Sequence, residues 1–270
     1  MTLKGTVAAV RESLRECPGV TFSVLWNGVL LFIALAAMPF DHRQILGLNP
    51  WIKPAKFDSS VIVFLLTVGL MLWALGRDNS WRRSRWLIGW GVGVAMIVED
   101  TIIQLQSARG VRSHMNYDSV PDAILFAIMG LFIAFNSAIA AWLFALWCIA
   151  KTNWKPVVVW GIRLGLLMLL AASAEGVRIV AQGGHTVGAH DGGPGLPLIN
   201  WSTSHGDLRV AHFFALHALQ IFPLAALALA TTRLRQQLQL SLLFAFSIAY
   251  SAGVWWLFVQ AVSGLPFVPT

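Results

Sequence analysis

Seven apolar runs leave this chain few folds to choose from. They cover residues 21–40, 58–76, 86–107, 121–150, 157–182, 209–230 and 239–262. Each is near or above the ~20 residues that an α-helix needs to cross a bilayer's hydrocarbon core. A lipid-exposed backbone must satisfy its own hydrogen bonds, so runs of this length predict helices. The fold class that follows is all-α: a polytopic integral membrane protein built as a seven-helix transmembrane bundle over residues 21–270. The fourth run is long enough to require tilt or projection beyond the bilayer.

Composition agrees with this. Of 270 residues, 57% are hydrophobic and 11% charged, against about 25% charged in a soluble domain. The net charge of +7 could suggest nucleic acid in a soluble protein. Here the bases gather at the ends of the runs, where topology and anionic headgroups account for them. No zinc-finger spacing or basic-aromatic groove is present, so no nucleic-acid partner is expected. Cys17 and Cys148 form neither a CxxC pair nor a metal-ligand pattern, and no structural disulfide is expected.

Residues 1–20 read as an amphipathic segment on the inner membrane surface, with Leu3, Val7, Val10 and Leu14 at helical spacing and Lys4, Arg11 and Arg15 beside them. The run after it is longer than the ~7–15-residue apolar core of a signal peptide, which favours an uncleaved first span.

Placing the N-terminus inside puts 12 of the 19 Lys and Arg on the cytoplasmic side, Arg77, Arg82, Arg83 and Arg85 among them. The positive-inside rule then predicts a cytoplasmic N-terminus and an external C-terminus, in a multi-pass protein of a bacterial inner or plasma membrane. With this orientation only Glu12, Glu16 and Asp78 of the 12 acids fall inside, and all seven histidines fall in the outer half. Acids do not strongly set topology, so the segregation points to an outward-facing polar pocket. A retinal Schiff base is excluded, because the seventh run has no lysine.

The sixth run carries the strongest site signal. GDLRVAHFFALHALQ brings Asp207, Arg209, His212, His217 and Gln220 into a membrane-spanning segment. At 100° per residue, Arg209, His212, His217 and Gln220 fall in an arc of about 140°. Ionisable groups in hydrocarbon cost a few kcal/mol and survive where they face a protein interior or a cavity. The polar arc is therefore expected to face the bundle, with Phe214, Ala215, Ala218 and Phe222 on the opposite face. Glu99 and Asp100 on the third span, and Glu175 and Arg178 on the fifth, are its expected partners; the last two, three residues apart, could pair.

The leading expectation from these residues is a metal- or haem-binding membrane redox protein, an oxidoreductase. Imidazole is a common ligand for Zn, Fe and Cu, and an axial His holds haem b within helix bundles. The expected cofactor contacts are His212, His217, Arg209 and Arg178. The expected metal ligands are His205, Asp207 and His212, with His205 on the same stripe if the helix reaches that far. The expected acid–base groups are His217, Glu175, Glu99 and Asp100. A metal-dependent hydrolase acting on a lipid or anionic substrate is one alternative, although neither HExxH nor GxSxG is present. A proton-coupled transporter is the other; the apolar inner halves of the spans count against a continuous conduit. Beyond the bilayer, a small molecule, a quinone or a lipid is the expected ligand.

Two loops add polar groups. Residues 183–208 form the longest connection, of a length often used for a lid or binding loop. SARGVRSHMNYDS gathers Arg109, Arg112, His114 and Asp118, and Lys53 and Lys56 lie at the mouth of the second span. DGGPG lacks the pattern of a phosphate-binding loop. NPWIKP and NWKP resemble each other too briefly to establish an inverted repeat.

Overall fold

The computed structural model describes residues 3–76 and 81–268, leaving out the side chains of Leu3, Lys4 and Thr6. Arg77 and Asp78, counted above on the cytoplasmic side, lie outside the described residues. So do the side chains of Leu3 and Lys4 from the amphipathic pattern.

All seven expected spans are helices long and apolar enough to cross a membrane. They are α2 (Pro18–Ala37), α3 (Ile52–Ala74), α4 (Arg82–Arg109), α5 (Val120–Ile149), α6 (Pro156–Gln182), α7 (Leu208–Ala230) and α8 (Gln236–Val262), preceded by α1 (Leu3–Glu16). A two-stranded ribbon, β1 (Thr186–Val187) and β2 (Gly206–Asp207), was not foreseen. By contact density the chain divides within α5 into residues 1–143 and 144–270.

The largest boundary error concerns α3. It starts at Ile52, six residues before the apolar run, so Lys53 and Lys56 are helical rather than part of a loop. Pro54 explains the early start: in a first turn its missing N–H has no intrahelical partner to lose. Asn49 fixes the approach by accepting the Trp51 amide and donating to the carbonyls of Met38 and Asp41.

In the first unit, α2 crosses α4 at glycine contacts. A Cβ on Gly93 would lie 2.6 Å from the Gly19 carbonyl oxygen, and one on Gly19 would lie 2.6 Å from Trp90 Cα. Small residues let helix backbones approach this closely, which is how spans gain packing energy where lipid is as apolar as leucine. Arg85 joins three elements at one end by meeting Glu16 at 2.7 Å and donating to the Gly76 carbonyl. On α1, Ala9 and Ser13 are buried while Val7 is 61% exposed, leaving part of the predicted apolar stripe open.

The second unit repeats the device. Gly161 and Gly165 on α6 face α7, and a Cβ on Gly161 would stand 2.4 Å from that of Ala226. This packing turns α7 partly away from the expected orientation. The stripe that is fully buried contains Ala211, Ala215, Ala218 and Phe222, while Arg209, His212, His217 and Gln220 are only half-buried. Close contact between small residues, not the polar arc, determines which face of α7 meets α6. Arg163 donates to the carbonyls of Trp147 and Cys148, capping the end of α5.

Candidate functional site

The expected site residues divide between the two units. Glu99 and Asp100 belong to the first; Glu175, Arg178, His205, Asp207, Arg209, His212 and His217 belong to the second.

The first unit holds a chain of titratable groups where α3 starts and α4 ends, half-buried at Lys53 and His114 and buried at Glu99. Lys53 Nζ lies 3.1 Å from His114 Nδ1, and His114 Nε2 lies 3.3 Å from Glu99 Oε1. A lysine ammonium only donates, so Nδ1 accepts and Nε2 carries the hydrogen that faces the carboxylate. The imidazole sits between the rings of Phe57 and Phe126, with centroids at 5.9 and 6.1 Å, and Lys53 Nζ lies 5.5 Å from the centre of the Phe57 ring. Burial, reinforced by the Lys53 charge, pulls His114 below the ordinary imidazole range against the opposing effect of Glu99. His114 is therefore neutral at pH 7.

Behind Glu99 stand two more acids. Asp58 and Asp100 are each 1% exposed, and neither has a hydrogen-bond partner on either carboxyl oxygen; Glu99 Oε2 has none either. Asp100 lies within electrostatic reach of both Asp58 and Glu99. Buried polar groups are nearly always hydrogen-bonded, so five orphaned carboxyl oxygens in one place require a chemical explanation.

The polar interior continues along α2. Gly93 faces Ser23, Trp26 donates to Thr101, and Gln104 donates to the Leu30 carbonyl. This parallel register places Asn27 opposite the stretch of α4 that holds Glu99 and Asp100. Asn27 is fully buried; its Nδ2 donates to Ser23 and its Oδ1 has no partner.

A second network holds the His114 loop in shape. Asp122 accepts from Ser119 at 2.6 Å, from Gln106 at 2.9 Å and from Arg109 at 2.6 Å. Ser119 accepts the Asp122 amide, a cap at the start of α5. Arg112 and Asp118 are a looser, exposed pair at 3.4 Å.

In the second unit, Asp207 is a structural residue. It caps α7 by accepting the Arg209 amide, binds the Arg209 guanidinium through both oxygens, and accepts the Ser202 amide. Because the helix starts at Leu208, His205 lies in the loop before it and not on the predicted stripe. His205 Nδ1 meets Ser204 Oγ at 2.9 Å. His212 packs against α6, where a Cβ on Gly176 would touch its Cε1 at 3.3 Å. Its ring hydrogen-bonds the Ala172 carbonyl, and Nδ1 is buried without a partner. His217 lies against Phe213 with the rings tilted, centroids 4.3 Å apart.

Glu175 and Arg178 do not pair: no ion pair joins them among the described residues, Arg178 is exposed, and Glu175 Oε1 is buried without a partner. The three expected metal ligands are likewise not gathered. Among the described residues no group of three or more His, Cys, Asp or Glu could hold a metal ion.

Sequence reasoning placed Lys53 and His114 in separate loops and missed their contact. It treated Asp58 as the edge of an apolar run, although an acid beside a span is itself a signal. No protein-family model, curated protein or solved structure matches this chain.

Proposed function

We propose that the chain is a proton-coupled transporter, in which Glu99, Asp100 and Asp58 take up protons from the outer face, with the neutral ring of His114 at their entrance. The observation that carries this reading is the unbroken series from Lys53 through His114 to Glu99, backed by two buried aspartates with no donors. Three carboxyl groups in one apolar site cannot all stay ionised, and a proton is the smallest species that relieves the repulsion. Intramembrane acids with a histidine at their entrance are the parts of which proton relays are made. Asn27 and Ser23 give the path a continuation on α2 that the sequence reading did not include. The N-terminus is placed in the cytoplasm and the His114 end outside, on the strength of the positive charges.

Reconstitution into vesicles tests the proposal. An imposed acid-outside gradient should drive proton uptake reported by a trapped pH dye, and His114→Ala and Glu99→Gln should slow it at least about tenfold, the effect typical of losing a proton-transfer group. Equal uptake by wild type and both variants would overturn the reading.

A metal- or haem-binding redox protein is the second reading, favoured by one observation. His212 has its Nε2 engaged by a carbonyl and its Nδ1 unpartnered, the division of labour found in ligating histidines. A visible spectrum and metal analysis of the purified protein decide it: a reducible Soret band or stoichiometric metal, lost in His212→Ala, would favour it over proton coupling.

A further inference from the structure

The loop between α6 and α7 is a built structure with a cavity of its own. Thr186 pairs with Asp207 and Val187 with Gly206 in the ribbon, and further backbone bonds run from Leu196 to Trp201, Thr203 to Pro194 and Leu208 to His185. Asp191 and Asp207 hold this frame from within. Asp191 accepts the amides of His185 and Thr186 and meets His185 Nδ1 at 3.1 Å. Asp207 is taken up by Arg209 and the Ser202 amide. Both carboxylates are thus spent on the fold.

The cavity is about 140 Å³, and its wall includes His190, Ser202, Ser204, His205 and Arg209, with the backbone of Gly192 and Gly193 beside them. A single water needs about 10–15 Å³ on this measure, so the space suits a small polyatomic ligand. No Asp or Glu lines it. Arg209 uses Nε and one terminal nitrogen on Asp207 and on the Asn200 carbonyl, and its other terminal nitrogen has no partner among the described residues. His205 engages Ser204 through Nδ1, which leaves Nε2 for a ligand. A guanidinium, imidazoles, hydroxyls and glycine amides, with the acids turned away, match the hydrogen-bonding needs of an oxyanion.

We propose that this cavity binds a small oxyanion-bearing group, a carboxylate or a phosphate. The proposal does not rest on the proton relay, and its test reads binding and not flux. Arg209 orients the anion, His205 and His190 close on it from the loop, Ser204 gives its hydrogen to His205 Nδ1 so that Nε2 can donate, and the Ser202 hydroxyl completes the hydrogen bonds.

The experiment is equilibrium binding of radiolabelled inorganic phosphate and acetate to the full chain in detergent. It is paired with lipid nanodiscs made with and without phosphatidic acid, in which retention of that lipid is measured. His190→Ala and His205→Ala carry the test, because neither side chain holds the loop frame; unchanged melting of each variant certifies its fold. Saturable binding that weakens about tenfold in His205→Ala, the loss expected for one hydrogen bond to a charged group, supports the proposal. Retention of phosphatidic acid alone, weakened in the same variants, supports it with a lipid headgroup as the source. No saturable binding in any format, or binding indifferent to both substitutions, overturns it.

Discussion

His114 Nε2 stands 3.3 Å from Glu99 Oε1 while Lys53 Nζ stands 3.1 Å from the opposite ring nitrogen, so one imidazole joins a cation to a buried carboxylate. The arrangement works only while the ring is neutral, since a protonated His114 would place two cations in contact. Burial and the Lys53 charge keep it neutral.

That preference gives a pH dependence of stability with a definite sign. His114 is held below its ordinary pKa of about 6.5, so at lower pH the unfolded chain binds the proton more readily than the folded one. Its contribution is fully present above pH ~6.5 and is lost as the pH falls toward the depressed value. Thermal melts in detergent between pH 7.5 and 5, a range of about one unit above and one and a half below the ordinary imidazole value, should show wild type losing more stability than His114→Gln. Parallel curves for the two proteins would remove His114 from this role.

Asp122 should matter for stability rather than for flux. It is 4% exposed and is the acceptor for Gln106, itself fully buried. Asp122→Ala leaves that amide without its partner and breaks the Arg109 contact, at a cost of about 2–3 kcal/mol. The melting temperature should fall by several degrees, while proton uptake measured below that temperature stays near wild type. A flux defect without a stability defect would mean that Asp122 belongs to the relay.

Much of the fold could be read from the sequence, because apolar length alone predicts spans in lipid. All seven apolar runs are helices, and both ends of α5 and α6 fall within one residue of expectation. Rotation of the helices was less legible. The polar arc on α7 was a sound periodicity, but periodicity cannot weigh a histidine stripe against Gly161 and Gly165 packing on Ala218 and Ala226. The carboxylate cluster was half visible: Glu99 and Asp100 were identified, whereas their link to His114 depends on how residues 110–119 fold back toward α3. That turn is fixed by the Ser119–Asp122 cap, which SVPD before an apolar run does signal, and by the Arg112–Asn116 contact, which has no sequence signature.

Gly161 offers a direct test of the α6–α7 contact. Its missing side chain lets the Phe222 carbonyl come within 2.9 Å of where a Cβ would be, and Ala226 Cβ closer still. Gly161→Ala forces the helices apart and should cost about 1–3 kcal/mol, in the range for overpacked cores. Gly161→Leu should prevent recovery of folded protein. Gly130→Ala, where nothing lies within 4 Å of the added carbon, is the control and should be neutral. Similar melting temperatures for Gly161→Ala and Gly130→Ala would show that the close crossing does not contribute to stability.

Asp207 ties the 183–207 loop to α7, binding Arg209, capping the helix and receiving the Ser202 amide. Asp207→Asn keeps the size but exchanges half of the acceptor for a donor pointed at donors, and Arg209 loses its counter-charge. Breaking a buried pair from one side costs about 3–5 kcal/mol where the survivor is fully buried. Arg209 is only half-buried, so part of that cost is recovered through water. The effect should stay local: the spans keep their helical signal in circular dichroism, while limited proteolysis cleaves within 183–207 at least about tenfold faster, as local opening becomes easier by roughly 1.4 kcal/mol or more. A variant loop as resistant as wild type would mean that the ribbon and its backbone bonds hold the loop without Asp207.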